Sequence, residues 1–218
     1  MLRFIKNPQN IRLIDIGCGN GYFLDLAKSA GMNVTGSELD PQAADFVKKQ
    51  LGIEVYICSA QEIHKYLYNQ SFNVVTLWGV LEHISNPAIA IQSIKKIMKK
   101  EGLLCLQTPS EDGLIRKVIH FYSRVTGKLD LIPELYNYDH VQCFSRKSIK
   151  YFLVKHGFII LRMESSSYGL KPLLQRPSIK GFNFVSILKK IFVIFIYSLG
   201  LLSNHGNHLT VYARLANE

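Results

Sequence analysis

Ile11-Arg12-Leu13-Ile14-Asp15-Ile16-Gly17-Cys18-Gly19-Asn20-Gly21 is the stretch that decides the fold. Its apolar residues Ile11, Leu13, Ile14 and Ile16 make a β-like run that ends in a glycine turn. Beyond the turn, Phe23, Leu26, Ala27 and Ala30 recur at helical spacing. A second apolar segment then ends at Ser37-Glu38-Leu39-Asp40. The order is strand, glycine turn, helix, strand, carboxylate. Glycines at alternate positions let the backbone pass close to a ligand where a Cβ would collide. A carboxylate at the end of the second strand stands where a ribose diol can be held. The unit reads as the nucleoside-binding half of a doubly wound α/β sheet.

The spacing discriminates between nucleosides. A dinucleotide turn has the pattern G-x-G-x-x-G, with a pyrophosphate on the helix N-terminus. Here the third glycine, Gly21, comes one residue early, and Tyr22 holds the expected place. Asp15 precedes the glycines inside the strand. A carboxylate there opposes a diphosphate and suits an ammonium group. The pattern Asp-x-Gly-x-Gly-x-Gly therefore favours S-adenosylmethionine, which carries an ammonium and a sulfonium and no phosphate.

Asp15–Gly21, taken with Trp78-Gly79-Val80-Leu81-Glu82-His83, resembles the class I S-adenosylmethionine-dependent methyltransferases. The nearest likeness is to the small-molecule group whose fourth strand runs into a Glu-His pair. The resemblance covers roughly residues 11–163, and His208–Leu215 looks like the last strand. It implies a Rossmann-like, mostly parallel seven-stranded sheet in the order 3-2-1-4-5-7-6, the last strand antiparallel. It also implies a ligand beyond the carboxyl ends of the strands. Asp15, Gly17, Cys18, Gly19 and Gly21 would then meet the methionine part of the cofactor, and Glu38 and Leu39 the ribose and its surroundings. Trp78 would lie beside the cofactor. The group often has an acidic residue after the third strand for the adenine amino group. This chain has Cys58-Ser59-Ala60-Gln61 there, so Ser59 or Gln61 would have to substitute, with Ala60 offering its backbone N–H.

Methyl transfer is an in-line displacement at a carbon activated by a sulfonium, so positioning and exclusion of water carry most of it. A base is needed only where the acceptor must lose a proton. His83 and His140 are the candidates, because histidine accepts a proton near neutral pH. Asp139-His140-Val141-Gln142-Cys143-Phe144-Ser145 resembles the group's acidic-His-x-x-x-Phe-Ser segment before a helix. Some quinone-related members hold a divalent metal with a carboxylate and histidine. Glu82 and His83 are too few ligands on their own, and no metal site is expected. The acceptor implied is a small molecule, a lipid or a glycan, most readily methylated at oxygen. The competing readings are a nicotinamide-dependent oxidoreductase and a cofactor-binding or membrane-attached module without catalysis.

The rest of the chain alternates strand and helix signals over 218 residues, enough for one domain spanning 1–218. Asp40-Pro41, Asn86-Pro87 and Ser145 open helices; Ile53–Cys58, Phe72–Trp78, Leu103–Gln107 and Phe158–Met163 read as strands. Lys95 to Lys100 fall at the end of a predicted helix, where cations suit the dipole. Cys18, Cys58, Cys105 and Cys143 are scattered, which suits a reducing cytosol and offers no metal spacing. Met1–Asn10 lacks the apolar run of a secretory leader. The net charge of +10 should attract anions, but no aromatic-interleaved basic stripe appears, so nucleic acid is not an expected partner.

Two stretches exceed the bare fold. Residues 110–143 are long for a connection, carry Phe121, Tyr122, Tyr136 and Tyr138, and read as a lid. Residues 182–203 read as an apolar helix before the last strand, interrupted by Lys189-Lys190 and preceded by Lys171, Arg176 and Lys180. The inner apolar run is shorter than the ~18–20 residues a span needs. It suits either packing or an in-plane position on an anionic membrane, at the inner face in a cytoplasmic protein.

Overall fold

A computed structural model describes residues 1–5, 7–129, 139–166, 191, 194–196, 198–200 and 202–216. Strands β1 (Arg12–Ile16), β2 (Asn33–Glu38), β3 (Val55–Ile57), β4 (Phe72–Trp78), β5 (Met98–Pro109), β6 (Phe158–Ser166) and β7 (His208–Leu215) are described. They form one sheet in the order β3-β2-β1-β4-β5-β7-β6. The first five run parallel, with Ile16 opposite Ser37 and Asp15 opposite both Gly36 and Thr76. β7 is antiparallel to β5 and to β6, which puts His208 beside Pro109 at the carboxyl end of β5. The expected class, order and direction of the last strand are all present.

Each strand of the centre is buried on both faces, so its sequence is a nearly continuous apolar run. Ile14, Val75, Leu104 and Val211 point to one side, against Ile63, Ile91, Ile94 and Leu153. Leu13, Val74, Cys105 and Tyr212 point to the other, against Leu24, Ala27 and Val47. The helices are α1 (Tyr22–Ser29), α2 (Pro41–Phe46), α3 (Ile63–Tyr66), α4 (Pro87–Ile97), α5 (Leu114–Thr126) and α6 (Arg146–Lys155); α1, α3, α4 and α6 supply these core residues, with Val47 just after α2. Their starts follow capping chemistry. Asp40 accepts from the Gln42 N–H, Asn86 from the Ile89 N–H, and Ser145 shares a reciprocal cap with Ser148.

Three expectations change. α4 ends at Ile97, and Met98 is extended because it pairs with Phe72, so the dipole argument holds for Lys95 and Lys96 but not for Lys99 and Lys100. The helix that Asp40-Pro41 opens is α-helical only to Phe46 and continues as a wider π turn to Leu51. β6 runs on to Ser166 because β7 pairs it that far. Of the stretch 110–143, residues 130–138 with Tyr136 and Tyr138 lie outside the described residues. So do most of 182–203 and the upstream Lys171, Arg176 and Lys180.

Candidate functional site

The glycine turn leaves β1 and enters α1. Gly17, Gly19 and Gly21 all have positive φ, at 68°, 52° and 76°, a region that costs other residues about 1–2 kcal/mol. Their surroundings differ. A Cβ on Gly17 would stand 2.6 Å from Val80 Cγ2, and one on Gly21 would stand 2.8 Å from Val47 Cγ2 and Leu51 Cδ1. A Cβ on Gly19 would meet nothing within 4 Å. Gly17 and Gly21 are therefore glycines for packing, whereas Gly19 borders open space.

Asp15 lies under this turn, 2 % exposed, with the Thr76 hydroxyl donating to Oδ1 at 2.6 Å. Burial pushes its carboxyl up to about 7; the Thr76 hydrogen bond opposes the rise and the Glu38 charge adds to it. Glu38 closes the turn from β2. Its Oε2 accepts from the Gly19 N–H at 2.8 Å, and Oε1 accepts from Leu39 and Asp40 at 2.6 and 3.1 Å. Two carboxylate oxygens have about four acceptor positions, so one position is left for a ligand unless a backbone donor gives way. Leu39 is exposed beside it. Cys18 is buried in the turn with its thiol pushed up to about 12 by burial, and so is inert. Ser59, Ala60 and Gln61 follow β3 in a turn closed by the Glu62 N–H on the Ser59 carbonyl. Trp78 ends β4 with its ring edge-on to Phe23 at 5.1 Å, and its buried indole N–H has no hydrogen-bond partner among the described residues. These residues all stand at carboxyl ends of β1 to β4.

Past β4, a 3₁₀ turn spans Leu81–His83. The Glu82 carbonyl accepts from the N–H groups of Val141 and Gln142, which hangs the Asp139–Phe144 segment on the Glu-His turn. The histidines are thereby brought together, ring centroids 4.9 Å apart and nearly perpendicular. His83 Nδ1 lies 3.0 Å from the Asp139 carbonyl oxygen. A carbonyl only accepts, so Nδ1 carries the proton and Nε2 is the basic nitrogen of the neutral ring. Burial and the neighbouring His83 hold His140 below the ordinary histidine range.

The sequence reading missed the residues that complete this corner. His208, read only as the start of a strand, is a half-buried third imidazole held low by desolvation, Arg116 and His140. Arg116, 6 % exposed, pairs with Glu111 at 2.7 Å. No local motif marks either, since both arrive through β-pairing and the 110–129 excursion.

Glu82, His83 and His140 each present one ligand atom within 4.8 Å of the others. Spacing alone offered two adjacent ligands; the fold adds the third. Glu82 is 3 % exposed, its Oε2 has no hydrogen-bond partner among the described residues, and burial raises its pKa. An orphaned buried carboxylate oxygen needs a proton or a cation. One carboxylate and two imidazoles make a donor set that fits a divalent first-row metal.

A family model described as a methyltransferase domain matches residues 1–162. Ubiquinone biosynthesis O-methyltransferase of Actinobacillus pleuropneumoniae is 29% identical over 109 residues, 44% of this chain and 45% of that protein. The enzyme of the same name from Shewanella pealeana is 30% identical over 101 residues, 44% of this chain and 43% of that protein. The chain thus spans about half the length of these relatives. Among solved structures, a SAM-dependent methyltransferase from Archaeoglobus fulgidus is similar with TM-score 0.64 and 20% identity, over 97% of this chain and 90% of that one. An S-adenosylmethionine-dependent methyltransferase from Mesorhizobium loti has TM-score 0.63 and 15% identity, over 97% and 94% of the two chains. At such identities the two structures establish a shared fold.

Proposed function

This chain belongs to the methyltransferase-domain family, and on that premise we propose that it moves a methyl group from S-adenosylmethionine to a hydroxyl oxygen of a small or lipid-linked acceptor. The observation that carries the reading is the buried Asp15 set directly behind a turn whose central glycine borders open space. A diphosphate seated there would meet that carboxylate; an ammonium group would be held by it, directly or through water. Glu38, already fixed by three backbone donors, would accept from the ribose. This disfavours the nicotinamide alternative.

The residues then divide the work. The glycine turn and Glu38 hold the donor in line, and Trp78 supports its side of the cleft. His140, its pKa lowered by partial burial, and His83 through Nε2 are placed to take the acceptor's proton. A general base of this kind contributes typically ~10²–10⁴-fold. Were Glu82, His83 and His140 to hold a divalent cation instead, it would supply Lewis-acid activation of the acceptor hydroxyl, and the imidazoles would serve as its ligands rather than as bases. The presence of paired imidazoles favours a catalyst over a binding module. A lipid-linked acceptor accords with the names of the relatives; it would be reached from a membrane surface.

The test is transfer of radiolabelled methyl from S-adenosylmethionine to a panel of catechols and prenylated phenols, with thiol and amine acceptors as controls. Label in the ether product supports the proposal. Label only in amines moves the acceptor to nitrogen, and no label in any acceptor, with cofactor bound, favours the module.

A further inference from the structure

α5 is built inside out. An ordinary surface helix turns its apolar stripe to the core and its charges to water. The residues that α5 buries are Arg116 and Ser123, seven apart on one face. Leu114, Val118, Phe121 and Val125 follow helical spacing on another face, and there Phe121 is 69% exposed and Val125 67%. Leu129 prolongs the exposed row past the end of the helix.

A second apolar row lies beside the start of α5. Ile191, Phe195 and Leu199 are helical, four residues apart and exposed, and Leu202 follows, 87% exposed. This row is joined to α5 through its end: the Leu114 N–H donates to the His205 carbonyl at 2.9 Å, and a Cβ on Gly200 would stand 3.4 Å from Leu114 Cβ. Among the described residues no helix is long and apolar enough to cross a membrane.

Charge identifies the occupant. From Gly113 to Leu129 there is no acidic residue, while Lys117, Arg124 and Lys128 are exposed along the flank of the apolar row. From Ser165 to Asn217 there is again no acidic residue, and Lys171, Arg176, Lys180, Lys189, Lys190 and Arg214 are present. An exposed apolar row edged by Lys117, Arg124 and Lys128 and emptied of acids matches an anionic bilayer, where the row enters the acyl boundary and the cations meet headgroups. A second copy of the chain would bring the same positive charge against itself.

We infer that the outward row of α5, with the Ile191–Leu202 row beside it, is a docking face for an anionic phospholipid surface. The inner face of α5 carries Arg116, paired with Glu111, whose N–H donates to the Phe144 carbonyl at the end of the segment that carries His140, so docking by the outer face sets the candidate active site at the lipid boundary. The inference extends the lipid-acceptor reading but stands on other residues, and its test needs no turnover.

The experiment is flotation of the full chain with vesicles of phosphatidylglycerol and phosphatidylcholine, beside vesicles of phosphatidylcholine alone. The protein should float with the mixed vesicles at low salt, lose binding at high salt, and stay down with phosphatidylcholine alone. Phe121→Ser with Val125→Ser, and separately Lys117→Glu with Arg124→Glu, should each weaken partitioning roughly tenfold or more. Tyr151→Ser, which removes an exposed aromatic from α6, should float like the parent. Unchanged S-adenosylmethionine titration and melting in the α5 variants show that they fold. A parent that stays at the bottom at low salt overturns the inference, as do α5 variants that float undiminished. A dimer in sedimentation that dissociates in the Phe121→Ser, Val125→Ser variant also overturns it, assigning the face to a second copy.

Discussion

At the residue scale, Asp15 and Glu38 do different things although both read as acidic ligands in the sequence. Folded Asp15 keeps its proton to about pH 7, whereas an unfolded aspartate releases it near 3.9. The folded state therefore binds more protons between those limits, and Asp15 contributes stability that is lost as pH rises through about 7. The contribution is at most about 4 kcal/mol, and Asp15→Asn should abolish that part of the decline in denaturant melts at pH 4.5 and 8. If an ammonium sits on Asp15, cofactor binding near pH 6 should release a proton and tighten as pH approaches 7, as calorimetry in two buffers would detect. Glu38→Ala should weaken cofactor binding ten- to a hundredfold, since hydrogen bonds to a charged group are worth about 1.5–3 kcal/mol. It should also loosen the turn by freeing the Gly19 N–H. The glycines separate likewise. Gly19→Ala should cost about 1–2 kcal/mol of stability from its backbone alone, with a tenfold or larger loss of cofactor affinity in titration. Gly17→Ala should destabilise further, by forcing Val80 aside. The glycine pattern was legible in the sequence, but which glycine faces the ligand was not, because Val80 and Val47 reach the turn from other elements.

At the scale of the element, the Asp139–Phe144 segment is held to the Glu-His turn by backbone bonds to the Glu82 carbonyl. Local sequence could mark each histidine but not their meeting, which needs this strap. The account predicts an acid limb in kcat/KM below the ordinary histidine value of about 6.5, because His140 is held low by burial. His140→Gln should remove that limb and lower kcat ~10²–10⁴-fold with cofactor affinity retained. A pH–rate profile with the limb intact in the variant would move the base to His83. Caps were the most readable signals of all. Ser145→Ala should cost about 1 kcal/mol, seen as a lower melting point with unchanged cofactor binding. Lys99 and Lys100 were misread because helical composition continues past Ile97, and only pairing with Phe72 turns the chain to strand.

For the whole molecule, the sheet order follows from alternating apolar runs and glycine turns, each local and therefore legible. The corner built by His208, Arg116 and Glu111 joins β7, α5 and the end of β5, and no run of sequence contains it. On the proposed reading the cofactor would sit at the carboxyl ends of β1 and β4, and the residues proposed for the chemistry are brought beside it by connections between distant strands. The most direct measurement is a calorimetric titration of the protein with S-adenosylmethionine and, in parallel, with NAD and NADP. The account predicts one-to-one binding of S-adenosylmethionine, weakened at least tenfold in Glu38→Ala, with no heat from either dinucleotide. Saturable binding of a dinucleotide that survives while S-adenosylmethionine gives no heat would contradict it.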